Sequence, residues 1–263
     1  MFHNPRPTRE EIARYYSTPG KYDEWLEELS GRDLLWKRRL GIVRRFARRG
    51  RLLDVGAGIG QFLHHAKAHF EVSGTEISEE AVRIARERFG VRLARCTLED
   101  SAHLAAESFD VITLFHVLEH LHSPSRALAR CRELLASGGH LVIAVPNGEH
   151  SFPRHGGLVK YSAKRILSLL GVRKYRKLTR FERIVLDPGV QTEIHLSHFT
   201  MRCLERFLSG NGFEICEISL DPYYSRSGYG RFKEHLRFGL FAFLLRISSR
   251  NLYETILVVA KKR

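Results

Sequence analysis

A chain of 263 residues, 43% of them hydrophobic, is long enough to bury a sizeable core in one large domain or a domain with an embellishment. Its 43 lysines and arginines exceed 29 acidic residues to give a formal charge of +14, which suits an anionic partner (nucleic acid, anionic membrane or acidic substrate) or a solvated basic surface. Four cysteines without C-x-x-C spacing (Cys96, Cys131, Cys203, Cys216) exclude a disulfide framework; with no apolar leader, and no apolar run near the roughly 20 residues a membrane span needs, the expected location is the cytoplasm.

Residues 1–30 are polar and turn-rich, with Tyr15, Tyr16 and Trp25 as scattered aromatics. Residues 32–49 have helical periodicity. Leu35, Trp36, Leu40, Val43, Phe46 and Ala47 form the apolar stripe, and Lys37, Arg38, Arg44, Arg45 and Arg48 a basic back left to solvent. A short buried strand at 52–55 runs into the turn Gly56-Ala57-Gly58-Ile59-Gly60, and residues 61–69 should be helical. A second strand, 71–76, ends at Glu76. Ser78 can then cap a helix that carries Glu79 and Glu80 in its first turn.

A third strand is expected at 91–96 and a fourth, apolar enough to be buried on both faces, at 109–114. Ser123-Pro124 is a helix start; Leu128, Cys131, Leu134 and Leu135 give that helix its buried face, and Gly138-Gly139 should end it before a fifth strand at 141–145. Strands and helices alternate from 51 to 145, so the fold class is α/β with a parallel sheet.

Residues 147–194 break this rhythm. They carry Gly156-Gly157, an apolar run at 166–170 and a basic run at 173–177, and read as an insertion over the ligand face. Thr200 should cap a helix through Ser209, followed by a turn at 210–212 and a strand at 213–220. Residues 231–247 form an amphipathic basic helix whose apolar side is Phe232, Leu236, Leu240, Phe243 and Leu244. Packing that side against the sheet is preferred over resting it on a membrane, because a doubly wound sheet needs helices on both faces. A last strand covers 253–260.

A strand, a glycine turn and a carboxylate twenty positions past Gly56 make the layout of a nucleotide cradle: glycines admit backbone to the ligand, and the acid accepts from ribose hydroxyls. The turn is G-x-G-x-G with Gln61 next, which argues against a nicotinamide dinucleotide fingerprint. The run 51–62 resembles motif I of the class I S-adenosylmethionine-dependent methyltransferases. So do 109–124, with Leu118-Glu119-His120 after the fourth strand, and 134–147, ending Pro146-Asn147. His195 to Thr200 and Gly212-Phe213-Glu214 are similar to an element of the subgroup that includes ubiquinone-biosynthesis O-methyltransferases and small-molecule or glycan methyltransferases.

The resemblance implies a doubly wound, mostly parallel seven-stranded sheet with an antiparallel last hairpin and an inserted cap. The chain reads as one domain over 1–263: an N-terminal helical segment (1–50), a cofactor-binding core (51–146), the cap (147–198) and the rest of the sheet (199–263), with the N-terminal segment and the cap outside the resemblance. The resemblance implies S-adenosylmethionine as methyl donor, with Gly56 and Gly58 against its methionine part, Asp54 orienting the turn and Glu76 holding the ribose. Thr97, Leu98 and Glu99 would bracket the adenine, and Phe115 would lie against the methionyl end.

The segment His116-Val117-Leu118-Glu119-His120 also matches H-x-x-E-H zinc-protease spacing, but it follows a buried strand of a nucleotide sheet and no second element offers an evident further ligand. The ubiquinone-type enzymes carry E-x-x-E-H here, implicated in divalent cation binding. His116 replaces the first acid, so no metal is expected. Methyl transfer needs alignment of the acceptor and, for an oxygen or nitrogen, loss of a proton; His116 and His120 are the catalytic candidates, with His195 and His198 behind them. The acceptor expected is an oxygen on a small metabolite, quinone precursor, lipid or glycan, with contact at a membrane surface a further expectation. RNA methylation on the basic surface and a non-catalytic S-adenosylmethionine-binding regulator are the alternatives.

Overall fold

Three helices precede the sheet in a computed structural model that describes residues 8–18, 21–148, 195–248 and 252–263. The first, α1 (Arg9–Tyr16), is fixed by a capping box: Thr8 accepts from the Glu11 amide while the Glu11 carboxylate accepts from the Thr8 amide. After α2 (Asp23–Glu27), α3 (Leu29–Phe46) lays Trp36, Leu40 and Val43 on the sheet, turns Leu35 toward a cluster with Tyr224 and Tyr253, and exposes its basic back as expected. Two further arginines, Arg32 and Arg39, are buried on the inward face.

The elements that follow are β1 (Arg51–Val55), α4 (Gln61–Ala66), β2 (Glu71–Glu76), α5 (Glu79–Phe89), β3 (Ala94–Arg95), β4 (Phe109–Phe115), a 3-10 turn (Leu118–His120), α6 (Pro124–Leu134), β5 (Leu135–Pro146), α7 (Met201–Gly210), β6 (Phe213–Asp221), α8 (Gly228–Ser248) and β7 (Thr255–Lys262). The seven strands form one sheet in the order β3-β2-β1-β4-β5-β7-β6. β7 runs antiparallel to both its neighbours, and the other pairings are parallel.

Period-two alternation sorts each central strand between two cores. Leu53, Val55, Ile112, Leu114, Ile143 and Val258 pack with α6 and α7 on one face. Leu52, Val111, Phe115, Val142 and Val259 pack with α3 and α4 on the other. Both faces are covered, which is why these strands read as continuous apolar runs.

Four expectations are corrected. The third strand is only Ala94–Arg95, an edge pair against Thr75 and Glu76, because Val91 turns into the core beside α4 instead of joining the ladder. Gly138-Gly139 does not end α6: Leu135 is already extended and pairs with Phe109, and the glycines sit in an irregular start of β5 where Gly138 has φ +74°. α4 ends at Ala66, short of residue 69. The apolar side of α8 faces out, not onto the sheet: Phe232, Leu236, Leu240 and Phe243 are exposed.

Gly156-Gly157, the 166–170 run and the basic run at 173–177 lie outside the described residues. No helix among the described residues is long and apolar enough to cross a membrane. All four cysteines are free.

Candidate functional site

The chain winds outward from β1 to β2 and β3, then crosses back to β4. The crevice at the carboxyl ends of β1 and β4 is the switch point where such sheets take ligands. A cavity of about 580 Å³ opens there. All eight residues predicted to hold the cofactor line it: Asp54, Gly56, Gly58, Glu76, Thr97, Leu98, Glu99 and Phe115. Both catalytic candidates, His116 and His120, line it too.

The turn is built for close backbone approach. Gly56 and Gly58 have φ +65° and +53°, and a Cβ on them would stand 2.6 Å from Val117 Cγ2 and 2.9 Å from Trp25 Cζ3. Glu76 closes the turn. Its Oε2 accepts from the Gly58 amide at 2.8 Å, and its Oε1 accepts from the amides of Ile77 (2.8 Å) and Ser78 (2.9 Å). Burial pushes the Glu76 carboxyl above its ordinary range against the pull of those three amides.

Asp54 is held by a neighbouring strand: the Thr113 hydroxyl donates to Oδ1 at 2.6 Å, across the β1–β4 register. Burial, the dominant influence, raises its carboxyl from 3.8 to about 7, with the Thr113 bond opposing and the Glu76 charge reinforcing. A carboxyl raised on folding costs stability as pH climbs from its unfolded to its folded value. Asp54 is therefore neutral for stability below about pH 4, increasingly destabilising up to about pH 7, and constant beyond. Asp54→Asn is expected to gain stability over the parent across that window, read by urea melts at about pH 4.5 and about pH 8; a pH-independent difference would refute the assignment.

The aromatic wall comes from α3, α4 and the end of β4, and the roof from the N-terminal segment, to which the sequence analysis gave no element. Phe115 packs edge-on to Phe62 (4.9 Å between centroids) and tilted to Trp36 (5.9 Å). Trp36 Nε1 donates to Gln61 Oε1 at 3.0 Å, and the Gln61 amide donates to the Leu29 carbonyl and to Asp33. Gln61 thereby clamps α3 to the turn. Tyr16, Tyr22 and Trp25 roof the cavity, and the buried Arg32 guanidinium stacks 4.2 Å over Trp25. In the sequence they stood only as scattered aromatics in a polar, turn-rich segment.

At the His116 end of the cavity a charged chain runs inward from β6. Arg39, fully buried, donates through Nε to Asp221 Oδ2 at 2.9 Å, and its Nη2 lies 3.2 Å from His116 Nε2. A guanidinium only donates, so His116 Nε2 accepts, and the proton of a neutral ring sits on Nδ1, 3.4 Å from Glu119 Oε1. His116 occupies the left-handed region, φ +59°, with its amide donating to the Ala144 carbonyl at 2.8 Å. Such backbone strain, about 1–2 kcal/mol, persists only where surrounding contacts over-determine it.

Glu119 is 1% exposed, and among the described residues neither carboxylate oxygen has a hydrogen-bond donor. Burial alone would raise this carboxyl, but the proximity and charge of His116 and then of His120 hold it below its ordinary range. His120 Nε2 stands 3.8 Å from the same oxygen, and its Nδ1 is 3.3 Å from the Tyr16 hydroxyl.

A second element does reach this group, contrary to expectation. The Glu119 carbonyl accepts from the amides of Leu196 and Ser197, which brings the His195 ring 5.0 Å from that of His120. Glu119, His120 and His195 each place a ligand atom within 4.8 Å of the others. Two imidazoles and one carboxylate suit a borderline transition metal better than Mg²⁺. His195 lines the cavity and the exposed His198 does not.

A methyltransferase-domain family model matches residues 21–218. An uncharacterized protein of Methanocaldococcus jannaschii is 29% identical over 125 residues, 48% of this chain and 57% of that one. The ubiquinone biosynthesis O-methyltransferase of Thiobacillus denitrificans is 31% identical over 155 residues, 54% of this chain and 65% of that one. The chain thus spans less than two thirds of the length of each of these two relatives. Among solved structures, a SAM-dependent methyltransferase from Thermotoga maritima superposes with TM-score 0.57 at 18% identity, covering 97% of this chain and 100% of its own, a likeness of fold.

Proposed function

The chain belongs to the methyltransferase-domain family, and from that membership we propose that its cavity binds S-adenosylmethionine and directs the methyl group to an oxygen of a small metabolite, quinone precursor, lipid or glycan. The observation that carries the reading is the Glu76 carboxylate bonded to the Gly58 amide at the switch-point crevice. One carboxylate both shapes the glycine turn and faces the cavity where a ribose diol would lie. The preference for oxygen rests on the named O-methyltransferase among the relatives.

Bound S-adenosylmethionine supplies a methyl group already activated on a sulfonium. The residues around it have simpler tasks. Gly56 and Gly58 admit its methionine part against bare backbone, and the buried Arg32 complements a carboxylate there. Thr97, Leu98 and Glu99 bracket the base. The faces of Phe115 and Trp36 suit a cationic sulfur, and the aromatic roof excludes water from it. In the same reading, residues 147–198 cap the acceptor side of a single 1–263 domain. Supporting this, Asn147 bridges Phe199 and the Gly148 amide donates to the Phe199 carbonyl, so both ends of that segment leave from one point.

An acceptor hydroxyl must lose its proton as the oxygen–carbon bond forms. His120 is assigned the proton-accepting role, because Arg39 already occupies the His116 Nε2 lone pair. His120→Asn is expected to lower kcat by about 100-fold or more with cofactor affinity unchanged, and His116→Asn to cost less. The reverse order in steady-state kinetics would move the role to His116.

The function itself is tested by a labelled-cofactor screen over quinone precursors, glycans and RNA, paired with calorimetric titration of S-adenosylmethionine. Label in RNA alone, with steep salt dependence, would replace the small-acceptor reading. Cofactor binding without any S-adenosylhomocysteine formed would reduce the protein to a regulator.

A further inference from the structure

We propose that α8 docks the protein on an anionic lipid bilayer, lying in the plane of the headgroups. Tyr229, Phe232, Leu236, Leu240, Phe243 and Ile247 follow one another at intervals of three or four, so they share one helical face. Each is between 54% and 72% exposed, and they are the large hydrophobic side chains left exposed among the described residues. A continuous apolar stripe over most of a 21-residue helix is a contact surface, not scattered surface apolarity.

The helix cannot simply roll to hide it. Its other side is fixed: Phe238 and Phe241 pack with Leu35, Tyr224 and Tyr253, and the Tyr253 hydroxyl donates to the Phe238 carbonyl at 3.2 Å. Glu234, the helix's only acid, is turned inward and buried, accepting from the amides of Ser225 and Arg226. The charges that α8 itself leaves around the stripe are consequently all positive: Lys233, Arg237 and Arg246 are exposed, and Arg231 is half-buried.

That charge pattern selects the occupant. A second copy laid stripe to stripe would bring cations against cations with no exposed acid on the facing helix. An anionic bilayer offers hydrocarbon to the stripe and phosphates to its flanks, and the chain's +14 adds a long-range attraction. The helix lies on the surface and does not cross, since it is not apolar enough to span. The inference does not depend on the cofactor reading, although Tyr223, next to Tyr224 under α8, lines the cavity, so a docked helix sits beside the acceptor wall.

The test uses vesicles of phosphatidylcholine with about 30% phosphatidylglycerol, and of phosphatidylcholine alone. The full chain is expected to co-sediment with the anionic vesicles, and less so as salt rises from about 0.1 M to about 0.5 M. L240E/F243E should cut the bound fraction at least about 10-fold with an unchanged thermal melt, both positions being exposed. Phe243→Trp keeps the stripe apolar, and its emission should shift to the blue on adding anionic vesicles. No binding by the parent chain, or no blue shift, would overturn the proposal. Equal binding to neutral vesicles would overturn its anionic assignment. A parent dimer that L240E/F243E converts to monomer, with no vesicle binding, would make the stripe an interface between copies instead.

Discussion

Glu76→Ala is expected to lower S-adenosylmethionine affinity by more than about 100-fold in calorimetric titration. Two ribose hydroxyls donating to a buried carboxylate are worth roughly 1.5–3 kcal/mol each, and about 1.4 kcal/mol is a factor of ten. The substitution also removes the acceptor of the Gly58, Ile77 and Ser78 amides. The turn then loses the contact that fixes its shape before ligand arrives. Glu76→Gln should fall between, because its amide nitrogen must face either the Gly58 amide or the Ile77 and Ser78 pair, donor against donor. Gly58→Arg should abolish binding by a separate route: a side chain at φ +53° is strained and meets Trp25 at once. Parent-like affinity in both Glu76→Ala and Gly58→Arg would leave the cavity without its assigned cofactor.

The cavity wall around the glycine turn was legible because its information is local. Alternating strands, glycines at fixed offsets and one carboxylate at the end of the next strand are all short-range patterns. The expected cofactor positions, from Asp54 to Phe115, accordingly gather on one cavity. What escaped was long-range. Arg39 shares a helix with four exposed basic residues (Lys37, Arg38, Arg44 and Arg45), and its inward turn follows from Asp221 on a strand far along the chain. His195 reaches His120 through backbone bonds from Leu196 and Ser197 to Glu119, a pairing with no side-chain signature. The α8 stripe reads like any core-facing helix. Its outward aim is set by Phe238 and Phe241 on the opposite side, which periodicity alone ranks as equals.

The Arg39–Asp221 pair should carry the largest stability effect in the molecule. Their side chains are 0% and 1% exposed, and they tie the middle of α3 to the end of β6. A buried ion pair adds little over well-packed apolar residues, but removing one partner strands the other charge without water, at a cost of about 3–5 kcal/mol. Asp221→Ala is the severe case, since Arg39 and Arg38 both lose their carboxylate. Arg39→Met should cost less, because the half-exposed Arg38 still reaches Asp221 Oδ1 at 3.2 Å. R39M/D221L removes both buried charges and should recover part of the loss; urea melts of the three variants decide this, and a double variant worse than the sum of the singles would contradict it. Arg39→Met has a second consequence that a purely structural tie would lack. It frees the His116 Nε2 lone pair, so nitrogen-detected NMR should report that ring leaving its fixed Nδ1–H tautomer. If His116 then gains in proton-accepting power what the fold loses in stability, Arg39 is the residue that withholds His116 from the reaction.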